Sequence, residues 1–167
     1  QWEPVLLDCS LTLDSPYDIS GATTANPVVI TAAGHTFSNG DQVKIDKVVG
    51  MTELNGNSYI VAGVSGSTFS LKTTGNVDVD GSAYSDYLEG GEVRKMVNNV
   101  TGADHLEGET VKVQADGQAL SGTYTVSSGT LSPALTDKAA VIHIGLPYTG
   151  VLQFLKMNTQ STSGTGQ

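Results

Sequence analysis

The most constraining feature of this sequence is a run of short strand-like segments that recurs roughly every ten residues, with turn residues between them. Five such segments lie within one stretch, at residues 28–31, 42–48, 58–62, 68–72 and 92–96. Pairs such as Asn39-Gly40, Asn55-Gly56 and Gly90-Gly91 separate them. This spacing is typical of a small antiparallel barrel, which closes the sheet and removes its edges. We therefore predict a barrel over residues 26–96 that folds independently.

Strand-like segments also flank the predicted barrel on both sides. They lie at residues 5–7 and 10–13, and again at residues 109–115, 122–126, 140–144 and 151–155. The first two are too few to bury themselves, so we expect them to pair with segments that follow residue 97. The predicted fold is all-β, with a small antiparallel β-barrel inserted into a discontinuous β-sandwich or β-barrel-like host domain of residues 1–25 and 97–157. Residues 158–167, rich in Gly, Ser, Thr and Gln, read as a flexible linker.

Composition narrows the classes of function. Eight Lys and Arg face 17 Asp and Glu, a formal net charge of −9, which argues against specific nucleic-acid binding. Twenty Gly and a charged fraction of only 15% argue against a helix-bundle fold. No apolar run is long enough for a membrane helix, so we predict no membrane insertion by this segment. The start at Gln1, without Met, indicates a piece of a longer chain.

Residues 76–81 contain the one pattern that suggests a metal. Asn76, Asp78 and Asp80 alternate before Gly81, as in a helix–loop–helix calcium loop. The twelfth position is Tyr87, where such a loop requires a bidentate Glu, and neither flank reads as a helix. We interpret the segment as a solvated acidic hairpin and predict no metal ligands.

Candidate catalytic groups are isolated in the sequence. Asp104 and His105 are adjacent, and neighbouring strand residues point to opposite faces. Asp104 is instead expected to cap the turn that follows it. His143, between two isoleucines, reads as a packed or hydrogen-bonded strand residue, and Cys9 as a buried small side chain. We predict that the chain is not an enzyme and has no catalytic, cofactor-binding or metal-binding residues.

Two groups of motifs resemble parts of known proteins. Residues 104–111, 115–117 and 141–149 resemble a segment of the tail nozzle, or tail tubular, proteins of tailed bacteriophages. Residues 34–43, 50–56 and 68–71 look like a small barrel module that recurs in phage tail proteins. That module is sometimes named after a half-domain of ubiquitin-activating enzymes. The resemblance is to a scaffold, and it carries no adenylation or cysteine chemistry onto this chain.

The resemblance implies a structural virion component located in a phage tail. It implies a homo-oligomeric ring that contacts other phage tail proteins and forms part of a conduit for DNA. A negatively charged wall would suit that conduit, because it would repel the DNA phosphates and DNA would pass transiently without specific binding. The alternative is a receptor-binding or adhesin module of a phage fibre that recognises a host glycan. Glycan binding by residues 26–96 alone would favour this alternative.

Overall fold

The computed structural model describes residues 7–147, with side chains from residue 10 onward. The predictions for Cys9, for a strand at residues 151–155 and for the linker 158–167 lie outside this part. The all-β prediction is confirmed. The chain forms β1 (Leu7–Leu13), β2 (Pro16–Ala22), β3 (Val29–Ala32), β4 (Gln42–Val49), β5 (Asn57–Ser65), β6 (Thr68–Lys72), β7 (Glu89–Lys95), β8 (Thr110–Ala115), β9 (Gln118–Ala119), β10 (Tyr124–Ser127), β11 (Thr130–Ser132) and β12 (Ile142–Pro147), with short 3-10 helices at Thr52–Leu54 and Asp104–Leu106.

Six strands close into an antiparallel barrel in the order β2-β3-β6-β5-β4-β7. Alternate residues point inward, as the period of two in the sequence predicts. On β4, Val43 and Ile45 are fully buried, while Lys44 and Asp46 between them are partly exposed. The interior also holds the large side chains of Ile30, Tyr59, Phe69, Leu71 and Val93. The barrel therefore has its own hydrophobic core.

Strand β2 completes the barrel, although the sequence-based boundary at residue 26 leaves it in the host. It pairs with β3 on one side and with β7 on the other. Ile19 of β2 is 4% exposed and belongs to the barrel core. Its neighbours Asp18, Ser20 and Gly21 are polar or small, so the segment carries only one buried apolar residue. Long-range pairing, rather than a local hydrophobic pattern, places β2 in the barrel.

The remaining six strands form a second sheet that curls into a half-barrel. Its order is β1-β12-β8-β10-β11, and β9 pairs with β8. Strand β1 precedes the barrel in the chain and β8 follows it, so this sheet is assembled from both flanks. Its concave side holds a second core, to which Val111, Val113, Val126, Ile142 and Ile144 contribute.

The barrel and the curled sheet meet just after β7. Val97 and Ala139 exchange two backbone hydrogen bonds of 2.9 and 2.8 Å. Lys44 of the barrel lies 3.6 Å from Asp116 of the sheet, measured between Nζ and Oδ2. Among the described residues, no helix is long and apolar enough to cross a membrane.

Candidate functional site

The outer wall of the barrel carries a network of charges centred on Glu92. Lys47 donates to Glu92 Oε1 at 2.8 Å, and this bond together with the nearby Arg94 lowers the pKa of Glu92. Arg94 Nη2 lies 2.6 Å from Glu92 Oε2 as an ion pair outside hydrogen-bond geometry. Arg94 Nε also donates to Asp14 at 2.7 Å, which joins β7 to the connection between β1 and β2. These side chains hold neighbouring strands together.

Asn55 forms the most specific polar contact of the barrel. Beyond Ile45, strand β4 no longer pairs with β5. The Asn55 side chain takes over this role, because Val48 N–H donates to its Oδ1 at 2.8 Å and its Nδ2 donates to the Val48 carbonyl at 2.9 Å. The Asn-Gly pair predicts a turn, and Gly56 indeed has a positive φ of 75°. Nothing in the sequence identifies Val48 as the partner of the amide.

Aromatic side chains close one end of the barrel, where we expect Phe37 to act as a plug. Phe37 is 4% exposed and packs edge-on against Phe69, with ring centroids 5.5 Å apart. His35 stacks on Phe37 at 5.1 Å, and its Nδ1 accepts the Phe37 N–H. Tyr17 of β2 also packs edge-on against Phe37, with ring centroids 5.1 Å apart. The motif at residues 34–41 thus builds part of the barrel core.

The carboxylates of the calcium-like segment are engaged with protein groups. Asp78 pairs with Lys72 at 2.7 Å. Asp80 accepts from the hydroxyl and the N–H of Ser82, and these two bonds lower its pKa. Among residues 7–147, no group of three His, Cys, Asp or Glu side chains could hold a metal ion. The two aspartates therefore stabilise the loop in which they lie.

The residues considered for catalysis lie on separate elements of the second sheet and its connections: His143 is on β12, and Asp104 and His105 are in a 3-10 helix. His143 of β12 forms a 2.8 Å hydrogen bond with the Thr12 hydroxyl of β1, which agrees with the interpretation of a hydrogen-bonded strand residue. The prediction that Asp104 caps the following turn is wrong, because the 3-10 helix begins at Asp104 itself and has no side-chain cap. Asp104 and His105 are thus in a helical turn, not on a strand.

Glu107 has a role that the sequence does not indicate. Its carboxylate accepts the N–H groups of Ser128 and Gly129, each at 2.9 Å. The bonds from Gly129 and Ser128 lower the pKa of Glu107. The carboxylate thereby anchors the β10–β11 turn to the segment before β8. Ser128 lies 21 residues from Glu107 in the sequence, so no local sequence pattern could have identified this contact.

Val49 and Leu88 form an apolar patch on the outside of the barrel. Val49 is 46% exposed and Leu88 is 70% exposed. The Leu88 N–H donates to the Val49 carbonyl at 3.0 Å, so the two residues are adjacent. A Cβ on Gly50 would come within 2.8 Å of Leu88 Cγ, which shows that Leu88 covers this glycine closely. Val49 and Leu88 are two of the three large apolar side chains that are exposed among the described residues, the third being Val77.

Comparison with known proteins relates the barrel to one family. A family model described as the ubiquitin-activating enzyme E1 FCCH domain matches residues 25–96. A ubiquitin-like modifier-activating enzyme 1 from Oryctolagus cuniculus is 43% identical over 82 residues, which are 47% of this chain and 7% of the rabbit protein. The chain therefore spans a small part of that relative's length. The matched range contains β3 to β7, five of the six barrel strands.

These matches correct the function inferred from the resemblance to phage tail proteins. The family model describes a domain of ubiquitin-activating enzymes and the rabbit relative is a ubiquitin-like modifier-activating enzyme, so the assignment to a phage tail nozzle or tail tube is wrong. The same correction applies to the oligomeric ring, the tail-protein partners, the DNA conduit, the virion location and the host-glycan adhesin. The motifs at residues 34–43, 50–56 and 68–71 form turns and core contacts of the barrel, whereas those at residues 104–111 and 115–117 belong to the curled sheet and its turns. Such a scaffold serves unrelated functions, so it identifies a fold and not an activity.

Proposed function

We propose that residues 16–95 act as a non-catalytic docking module, related to the FCCH domain of ubiquitin-activating enzymes, within a larger protein. The observation that carries this proposal is the agreement between the family match at residues 25–96 and the closed barrel with its own core. A closed barrel has no free sheet edge, so it contacts other proteins through side chains on its wall.

The polar contacts within the barrel support a structural module. The Asn55 amide is hydrogen-bonded to the backbone of Val48. The Asp41 carboxylate accepts hydrogen bonds from Lys95 and from the Ser38 N–H. The Glu53 carboxylate accepts a hydrogen bond from the Ser85 N–H. Burial would raise the pKa of Asp41, but the bonds from Lys95 and Ser38 hold it below its ordinary value. The carboxylates of Asp41 and Glu53 are ionised at neutral pH, and all three side chains are hydrogen-bonded to protein partners. We propose that catalytic groups, if the larger protein has them, lie elsewhere.

The patch of Val49 and Leu88 is the docking surface that we propose. Asp86 and Glu89 lie next to it in the chain and are exposed, so its surroundings are acidic. An apolar centre with negative neighbours fits a partner surface on which apolar and basic residues adjoin. By analogy with the rabbit relative, which is named as an activating enzyme for ubiquitin-like modifiers, we propose that the partner is a ubiquitin-like modifier.

The test is a chemical-shift titration of the ¹⁵N-labelled 167-residue chain with ubiquitin. We expect shifts at Val49, Leu88 and their neighbours, and loss of these shifts in Leu88→Lys. Val77→Lys is the matched control, because Val77 is 65% exposed and lies on a different loop. Binding that Leu88→Lys leaves unchanged, or no binding at all, would contradict the docking proposal. ATP–pyrophosphate exchange by the isolated chain would contradict its non-catalytic character.

A further inference from the structure

Residues 81–88, which we call the strap, lead into β7 and carry Leu88 of the apolar patch. Tyr84 and Tyr87 of the strap are partly buried and pack against the barrel core. At the end of the strap, the Leu88 N–H donates to the Val49 carbonyl at 3.0 Å. The two tyrosines attach the strap to the barrel, and the position of Leu88 depends on contacts close to Val49.

The strap backbone lies directly over Gly50, the residue after Val49. The φ of Gly50 is 90°, and a Cβ at this position would come within 2.8 Å of the Leu88 nitrogen and closer still to the Asp86 carbonyl oxygen. Only glycine permits this close approach without displacing the strap. Because glycine has no side chain that could bond the strap, a second contact is needed to keep it in place.

The carboxylate of Glu53 supplies this second contact. Its Oε1 accepts the N–H of Ser85 at 2.9 Å and the Ser85 hydroxyl at 3.1 Å. Glu53 lies in the 3-10 helix Thr52–Leu54, which is anchored because Leu54 is fully buried in the barrel core. Its own backbone N–H and that of Ser85 lower the pKa of Glu53, so the carboxylate is charged at neutral pH. Hydrogen bonds to a charged acceptor are stronger than those to a neutral one.

We propose that Glu53 is a positioning residue for the docking surface, because it holds Ser85 and thereby keeps Leu88 in place. This inference rests on the docking function proposed above for the patch. A surface that is already ordered loses less conformational freedom when a partner binds, so its affinity is higher. When the strap is released, only the molecules with a seated strap are competent to bind, and the apparent Kd rises as their fraction falls.

Amide hydrogen exchange in the free 167-residue chain tests the positioning without a partner. We expect Glu53→Ala to speed exchange of the Leu88 N–H by about tenfold, because the loss of bonds to a charged group makes local opening of the strap easier. The Val61 N–H, which donates to the Asp41 carbonyl at 2.8 Å within the barrel, is the reference and should exchange at an unchanged rate. An unchanged rate at Leu88, or an equal acceleration at Val61, would overturn the inference.

A titration with ubiquitin measures the effect on docking. We expect Glu53→Ala to raise the Kd by about threefold, as when tenfold easier opening makes the open strap the larger fraction. Glu53→Gln should raise the Kd less, because its amide oxygen can still accept from Ser85. Equal losses in the two variants would indicate a direct charge contact with the partner and would overturn the positioning role. Glu109→Ala, which removes an exposed charge before β8, is the matched control and should leave the Kd unchanged.

The two measurements separate this inference from the docking function. If the native chain does not bind ubiquitin, the docking function fails, and faster exchange at Leu88 in Glu53→Ala still supports the role of Glu53 in holding the strap. If ubiquitin binds at Leu88 while Glu53→Ala changes neither the exchange rate nor the Kd, the docking function is supported and the positioning role of Glu53 is overturned.

Discussion

Replacing Asn55 by alanine is expected to destabilise the barrel by about 2–3 kcal/mol. The substitution removes both hydrogen bonds that the side chain forms with the backbone of Val48. Val48 is 3% exposed, so water cannot readily replace the lost partners. Each bond contributes about 1 kcal/mol net, and a backbone group left buried without a partner adds a desolvation cost of similar size.

Urea unfolding followed by far-UV circular dichroism measures this effect directly. A thermal melt is the second measurement. In a barrel of this size, each kcal/mol of lost unfolding free energy lowers Tm by about 4–8 °C, so we expect Asn55→Ala to melt roughly 10–20 °C lower. The native β-type spectrum at low temperature should persist, because the substitution does not alter the core.

Asn57→Ala is the matched control for Asn55→Ala. Asn57 is exposed, and its side chain donates a 3.0 Å bond to the carbonyl of Glu53. We expect a loss of less than about 1 kcal/mol, since water can replace this partner. If Asn55→Ala costs no more than Asn57→Ala, the argument that the amide replaces strand pairing at Val48 is refuted.

Three other predictions test the fold. Gly91→Ala should lower stability by more than about 2 kcal/mol, because Gly91 has φ 107° and a Cβ would lie 2.7 Å from Val48 Cγ2; an unchanged urea midpoint would contradict this close approach. Residues 14–96 expressed alone should give a cooperative thermal melt, whereas residues 26–96, which lack β2, should not; equal melts would show that β2 is dispensable. The lowered pKa of Glu107 implies stability that is present above the ordinary glutamate pKa and is lost as pH falls through the lowered one. Glu107→Gln should flatten the dependence of unfolding free energy on pH in that acid range, and an identical dependence would exclude this contribution.

The local pattern of the sequence was sufficient to predict five of the six barrel strands and much of the barrel core. Alternation on β4 identifies Val43 and Ile45 as inward residues, and both are fully buried. Phe37, between glycine-containing turns, was expected at the barrel end and is buried there. Such features are predictable because the period of a strand and the conformational demands of a turn depend on residues that are close in the chain.

The curled sheet was predicted less completely. Its strands β8, β10 and β12 correspond to segments recognised in the sequence, whereas the short strands β9 and β11 were not identified. A two-residue strand such as Gln118–Ala119 carries no periodic signal. It exists because a hairpin turn at Asp116-Gly117 returns the chain along β8.

Only the tertiary structure determined the closure of the barrel and the roles of its polar side chains. Strand β2 has one buried apolar residue, Ile19, and its place between β3 and β7 depends on pairing with segments far along the chain. Likewise the Glu107 carboxylate accepts hydrogen bonds from a turn that lies 21 residues away in the chain. The sequence determines which residues favour strands and turns. Which distant strands pair, and which buried backbone groups then need a side-chain partner, is decided only when the two cores form.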